Sequence, residues 1–387
     1  MSDIRKVLLL LETSREYGRG LLRGIVRYAN LHGSWIIERQ TPFYLRSEAG
    51  KDTTSLKILT EADGIILREQ KILGPARRRH IPVIVANFKK QSIPGFSQLV
   101  ADDDQIGQMA AAHFLQRGFH HFAYLGYDDM FWSVRRKNSF VHQLAKAGYD
   151  AGCFKQNRVK HLRLWIKEKT DVAQWLLSLP RPTGLMACND DRALQAMDAC
   201  RQAGLKVPEE IAILGVDDDE LVCNLSWPPL SSICLDLENA GYKAAALLDR
   251  MMSGKHLPPQ TIFVKARHVT TRHSTDILAI SDAIVVKAVR FIQEHVRQPL
   301  QISDVLSHVA ISRRGLYDKF QQSLGCSVYR YIKQTRIEHI ERLLSMTDMP
   351  IRQIALEMGF SSPEHISAYF YSEKGCNPLE FRKRAGI

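Results

Sequence analysis

The chain has 387 residues, of which 45% are hydrophobic, and carries a formal charge of +12 with a pI near 9.4. That length leaves room for two or three domains, the apolar content excludes a disordered chain, and the basic excess suits a polyanionic partner. The apolar run Ile4–Leu11 stops at Glu12, too short for a membrane span or a secretory leader, so a cytoplasmic protein is expected. Seven cysteines, at 153, 188, 200, 223, 234, 326 and 376, show neither metal spacing nor an even count, which argues for a reducing compartment and against a disulfide framework.

From the N-terminus, short apolar runs alternate with helical patterns. Strands are expected at Lys6–Leu11, Trp35–Ile37, Gly64–Leu67, Val83–Ala86, Phe122–Leu125, Gly184–Ala187, Ile211–Val216 and Ser232–Leu235. Helices are expected at Gly18–Asn30, Gln105–Arg117, Val134–Ala147, Thr170–Leu179, Asp191–Ala203 and Leu237–Met252, with a weakly patterned helix over Phe43–Thr60. Alternation of this kind predicts α/β lobes, each a parallel sheet covered on both faces by helices.

In such sheets ligands gather beyond the carboxyl ends of the strands. The segments there read Glu12-Thr-Ser14, Asp102-Asp-Asp104, Asp128–Arg136, Asn189–Asp190 and Asp217-Asp-Asp219. Carboxylates accept from neighbouring hydroxyls, while Arg and Asn donate in return, so the set suits a polar, hydroxyl-rich small molecule. Tyr17 and Trp132 are placed to stack on a sugar ring. The competing explanation for any one of these Asp or Asn residues is helix N-capping.

The C-terminal part reads almost the same twice. Ile302, Val305, Leu306 and Val309 recur as Ile351, Ile354, Ala355 and Met358, an offset of 49 residues; Leu316, Phe320 and Gly325–Cys326 recur as Ile366, Phe370 and Gly375–Cys376, an offset of 50. One residue is therefore added in the second turn. Each copy is a helix, a tight turn at Ala310 or Gly359, and a second helix capped by Ser312 or by Ser361 or Ser362: two helix-turn-helix units. The second helix of the first copy buries Leu316 and Phe320 and leaves Arg313, Arg314, Tyr317 and Lys319 facing outward, as major-groove reading needs. A small helical bundle with solvated charges is the alternative. The segment after residue 283 carries roughly +5 of the excess charge, enough for phosphate contacts.

Ser312–Phe320, Gly325, Arg336–Ile337, Ile351–Ala355, Gly359–Ser361 and Gly375–Arg382 resemble the DNA-binding domain of the AraC/XylS family. The resemblance implies two recognition helices joined by a linking helix from about Val328 to Leu344. It places Ser312, Arg313, Arg314, Tyr317 and Asp318 at DNA in the first unit (about 302–324), and Ser361, Ser362, Pro363, Glu364 and Ser367 in the second (about 351–374). Gly118–Gly126, Arg136 before Phe140, Met186–Asp190 and Ile213–Glu220 resemble the effector domain of LacI-type regulators, which is shared with periplasmic sugar-binding proteins of type I. That likeness implies two lobes closing over a sugar. Arg136, Asn189 and Asp217 match the principal ligand residues; Asp103 and Asp190 also match, and Glu12, Ser14 and Tyr17 join them by position.

Together the resemblances imply a sensing domain over 1–275, a linker over 276–283 and an all-α reader over 284–387. They further imply a homodimeric, carbohydrate-responsive activator of a D-xylose or related operon, with operator DNA, a sugar effector and RNA polymerase as partners and no cofactor. The alternative is an intracellular sugar-binding or sugar-processing protein with no DNA role. Two enzyme readings are weaker. Gly18, Gly20 and Gly24 follow a strand, but their spacing is one residue too long for a dinucleotide fingerprint. The aspartate runs lack the further oxygen ligands that a divalent cation would need. Neither a Gly-x-Ser-x-Gly elbow, nor HExxH, nor a Walker sequence is present, so no catalytic residue and no metal site is expected.

Overall fold

The computed structural model describes residues 4–33, 35–39, 61–68, 72–86, 93–155, 163–255, 257–280 and 282–385. The helix expected over Phe43–Thr60 lies outside the described residues. The first sheet is built from β1 (Lys6–Leu10), β2 (Ile36–Arg39), β3 (Gly64–Leu67), β4 (Val83–Ala86), β5 (Ser97–Ala101) and β11 (Thr261–Val264), all parallel, in the order β11-β5-β4-β3-β1-β2. The second runs β12 (Ala266–Thr270), β10 (Ser231–Leu235), β9 (Ile211–Asp217), β8 (Thr183–Ala187), β6 (His121–Leu125) and β7 (Ala151–Cys153), with only β12 antiparallel to its neighbour.

Strands covered on both faces need apolar residues on both, and β1 shows this residue by residue. Val7 and Leu9 join one buried cluster, while Leu8 and Leu10 join another on the opposite face with Ile65 and Val85. The helices are α1 (Glu16–His32) and α2 (Leu73–Arg78) in the first lobe, then α3 (Asp103–Leu115), α4 (Phe131–Lys146), α5 (Arg163–Ser178), α6 (Asp190–Ala203) and α7 (Glu220–Leu225), and finally α8 (Leu237–Met252). Helix α8 returns to the first lobe and crosses α1 closely. A Cβ on Gly24 would lie 1.8 Å from the Glu238 carbonyl oxygen, and one on Gly241 2.1 Å from that of Leu21, so glycine is required on both helices at the crossing.

The chain passes between lobes three times, at Asp102, Asp236 and Lys265. These crossings are tied together by Asp102 N–H to Val264 O and Asp236 N–H to Lys265 O, both 2.8 Å. Strands β5, β7, β11 and β12 and the short helices α2 and α7 were not expected from the sequence. Gln98 and Ser97 interrupt the apolar pattern of β5, β7 has only three residues, and β11 and β12 belong to different sheets although one residue separates them.

The C-terminal part contains α9 (Ala283–Glu294), α10 (Ile302–Val309), α11 (Arg313–Leu324), α12 (Val328–Met346), α13 (Ile351–Glu357), α14 (Pro363–Lys374) and α15 (Pro378–Ala385). Two buried clusters are strung along α12. Val328, Tyr331 and Ile332 pack with α9–α11, and Ile337, Ile340 and Leu344 with α13 and α14. The repeat holds at the level of the backbone: Ala310 and Gly359 are left-handed at φ 54° and 69°, and Gly325 and Gly375 close the second helices at 66° and 63°. Ser362 caps α14 as Ser312 caps α11, which puts the added residue just before Ser362.

Candidate ligand cleft and nucleic-acid interface

The carboxyl ends of both sheets face a cavity of about 220 Å³ between the lobes. At roughly 30 Å³ per water this is the space of about seven waters, a monosaccharide rather than a long oligomer. Its walls carry Glu12 and Tyr17 after β1, Arg68 after β3 and Asp103 after β5; the other lobe supplies Trp132 and Arg136 from α4, Asn189 after β8 and Asp217 at the end of β9.

Arg136 is the best-held group. Its Nε donates to Asp103 Oδ1 at 3.0 Å, one Nη donates to the Cys188 carbonyl at 2.5 Å, and the guanidinium lies 4.9 Å above the Trp132 ring. Both members of the pair are buried, at 3% and 1% exposure, so neither charge is solvated and each depends on the other. Asp103 Oδ2 is buried with no hydrogen-bond partner, an acceptor open to a ligand hydroxyl. Burial raises the Asp103 carboxyl above its ordinary range against the pull of Arg136.

Asp217 adopts φ 107° and Asp218 φ 52°, two successive side-chain-bearing residues in the left-handed region. Strain of this kind persists where the surroundings fix it, commonly at binding sites. Burial pushes Asp217 up to about 6, opposed by Arg136 and Arg68. Tyr17, pushed up to about 12 mainly by burial, remains a neutral phenol beneath Arg68, whose guanidinium is 5.7 Å from its ring. Asn189 Oδ1 caps α6 by accepting Arg192 N–H at 3.0 Å, which leaves its amide nitrogen as the group free to donate.

Two of the residues expected at the ligand do not line the cavity. Ser14 is exposed, its N–H bonded to Glu12 Oε1 and its carbonyl to Arg19. Asp190 turns beneath the sheet edge, where it accepts from Asp219 N–H at 2.9 Å and Ser232 Oγ–H at 2.5 Å. Gly215 is glycine because a Cβ there would lie 2.2 Å from that carboxylate. Asp190 thus knits strand ends together. Conversely, Arg15, Arg68, Phe131 and Asp191 line the cavity without having been expected. Arg68 follows a strand, and the strand-end rule applied to β3 would have found it. Arg15 and Asp191 pair across the cleft at 2.9 Å, as Arg19 and Asp219 do at 2.8 Å, over sequence separations that carry no local signal.

Elsewhere in the second lobe, the side chains of Asp218, Cys234 and His268 converge from three adjacent strand segments. The Asp218 carboxylate is already engaged by Arg272 at 2.8 Å and by the Thr270 hydroxyl at 2.6 Å.

In the reader, Ser312, Arg313, Arg314, Tyr317 and Asp318 are exposed on α11, while Ser361 and Glu364 are exposed and Ser362, Pro363 and Ser367 half-buried around α14. Lys319 differs from expectation. It pairs with Asp282, the N-cap of α9, so it holds two helices together rather than facing outward. His365, bonded to Ser361 Oγ at 2.5 Å, is an exposed group on α14 that the pattern had not singled out.

Residues 111–275 match the family profile of the periplasmic binding protein-like domain, and residues 305–384 match a helix-turn-helix domain. The chain is a transcription regulator that joins a periplasmic binding protein-like domain to a helix-turn-helix DNA-binding domain. Over 384 residues, 97% of this chain and 98% of the relative, it is 28% identical to the xylose operon regulatory protein of Haemophilus influenzae. It is 26% identical to that of Escherichia coli K12, again over 97% of this chain and 96% of the relative. A solved structure of the xylose-binding transcription activator XylR shares the fold, with a TM-score of 0.62 at 24% identity, covering 99% of this chain and 98% of that one. These relatives are regulators rather than enzymes, and no helix among the described residues is long and apolar enough to cross a membrane.

Proposed function

We propose that the chain is a cytoplasmic, homodimeric activator that responds to D-xylose or a closely related pentose. Residues 1–275 sense the sugar, 276–283 form the linker and 284–387 read the operator. The observation that carries this reading is the monosaccharide-sized cavity walled by four carboxylates, three aromatic rings and Arg136, the buried partner of Asp103, in a chain that ends in two DNA-reading units.

Glu12, Asp103 and Asp217 accept from sugar hydroxyls, Arg68, Arg136 and Asn189 donate, and Tyr17 and Trp132 cover the apolar face of the ring. Arg313, Arg314 and Tyr317 of α11 meet one major-groove segment, and α14 meets the next through Ser362, Glu364 and His365. Sugar binding favours one lobe arrangement and so shifts the DNA-binding form, which requires different affinity for the two arrangements. As an activator, the dimer would then contact RNA polymerase. A thermal-shift screen of the full chain against pentoses and hexoses tests the sensing half: D-xylose should give the largest stabilisation, and no shift with any sugar overturns it. Retardation of DNA by the fragment from residue 277 onward tests the reading half.

A further inference from the structure

Helix α3 has its two ends in different parts of the molecule. It begins at Asp103, inside the cleft, and its 13 residues span about 20 Å. It packs along α4, whose first residues bring Trp132 and Arg136 to the same cavity, and a Cβ on Gly107 would lie 2.6 Å from the Phe140 backbone nitrogen, so the two helices are in close contact.

The far end of α3 holds the segment that leads into the reader, and touches the reader itself. His113 is bonded to the Thr275 hydroxyl at 2.9 Å in a buried setting. Arg117 donates to the Thr275 carbonyl at 3.1 Å and to the Thr271 hydroxyl at 3.2 Å, and its own carbonyl accepts from Ala279 N–H at 2.8 Å. Gly118, left-handed at φ 75°, lies directly against Ile280, which belongs to the buried cluster of the first helix-turn-helix unit. Gln116 Nε2 donates to Glu338 Oε1, and Glu338 sits on α12, the helix along which both reading units are strung. The linker and the reader's axial helix are thus both fastened to one end of a helix whose other end forms the ligand wall.

We propose that α3 carries the sugar signal to the reader, and that Gln116 and Glu338 are the positioning pair through which it reaches α12. This rests on the sugar-sensing reading above. That end of α3 belongs to the second lobe, so the reader travels with that lobe when the cleft closes. The Gln116–Glu338 contact then fixes the angle of α12, and with it the direction in which α11 and α14 face DNA. The linker alone could tether the reader, but a single chain of residues would not set that angle.

The test uses the full chain and a duplex that the wild-type protein enriches from a random-sequence library. The quantity read is the ratio of DNA affinities with and without D-xylose. Gln116→Glu sets a second carboxylate against Glu338; Gln116→Glu with Glu338→Gln restores a hydrogen bond with the roles exchanged. The single variant should bind D-xylose alone within twofold of wild type while its ratio collapses towards one, and the double variant should recover the wild-type ratio. A ratio in Gln116→Glu within twofold of wild type, or a collapse that the exchanged pair does not rescue, overturns the coupling role. If Gln116→Glu does not fold, Gln116→Ala, which removes the bond without adding charge, is held to the same standard. A wild-type chain whose DNA affinity responds to neither D-xylose nor any related pentose overturns the sensing reading itself, a result distinct from wild-type coupling that survives in the variants.

Discussion

In the cleft, Arg136 and Asp103 are 3% and 1% exposed and bonded to each other; on α11, Arg313 and Arg314 stand in solvent. A buried pair is prearranged for a small ligand and brings little net stability, yet removing one partner strands the other charge away from water. Exposed cations cost nothing to leave unpaired, are screened by salt and act when phosphates approach. The charge of the Arg136–Asp103 pair is therefore coupled to folding, and that of Arg313 and Arg314 on α11 is not. Substitutions in the two regions should fail in different ways.

The largest effect is expected from Arg136→Ala. It leaves Asp103 buried without its cation, at a cost of about 3–5 kcal/mol, and abolishes sugar binding. Urea denaturation of the full chain measures this; stability equal to wild type would break the contrast. Next comes Gly359→Ala within the reader. At φ 69° an alanine is strained, and its Cβ would lie 2.7 Å from Pro299 Cδ. About 2 kcal/mol of local stability should be lost, seen as reduced amide-exchange protection in α13 and α14, with sugar affinity unchanged.

Titration separates the regions again. Burial raises Asp217 to about 6, so between its ordinary range and pH 6 the folded protein holds a proton there that the unfolded chain releases. For this group, stability rises as pH falls from 7 towards 5. Sugar binding runs the other way, because the ionised carboxylate is the stronger acceptor. Affinity should drop about tenfold one pH unit below that value, and calorimetry at pH 5 and 7.5 reads it. Asp217→Asn should flatten the profile. Arg314→Ala should instead weaken DNA binding about tenfold, on the order of 1–2 kcal/mol, with stability and sugar affinity unmoved in urea and calorimetric titrations.

The two regions were also unequally legible. The reader is local: a helix, turn and helix repeated at fixed offset exposes its own plan, and the step from 49 to 50 even locates the added residue. What local pattern misplaced there was Lys319, because its partner Asp282, at the start of α9, lies outside the repeat. The cleft gathers residues from strand ends far apart in sequence. The rule that ligands sit beyond strand ends put Glu12, Asp103, Arg136, Asn189 and Asp217 on its wall, but it could not say which way Asp190 turns. Nor could it find Arg15 and Asp191, whose meeting exists only once the two lobes face each other.

The smallest effect sharpens the comparison inside the reader itself. Ala310 occupies the left-handed position that the second unit gives to Gly359, at φ 54° against 69°. An alanine there loses roughly 1 kcal/mol to the crowding of its Cβ against the neighbouring carbonyl. Ala310→Gly relieves that strain but enlarges the conformational freedom of the unfolded chain, which offsets part of the gain. The net expectation is a stabilisation of about 0.5 kcal/mol, read as greater amide-exchange protection in α10 and α11 and none in α13 and α14. A loss of stability would mean that the methyl group is held by packing in the first turn, and that the two copies, alike in backbone, are stabilised by different contacts.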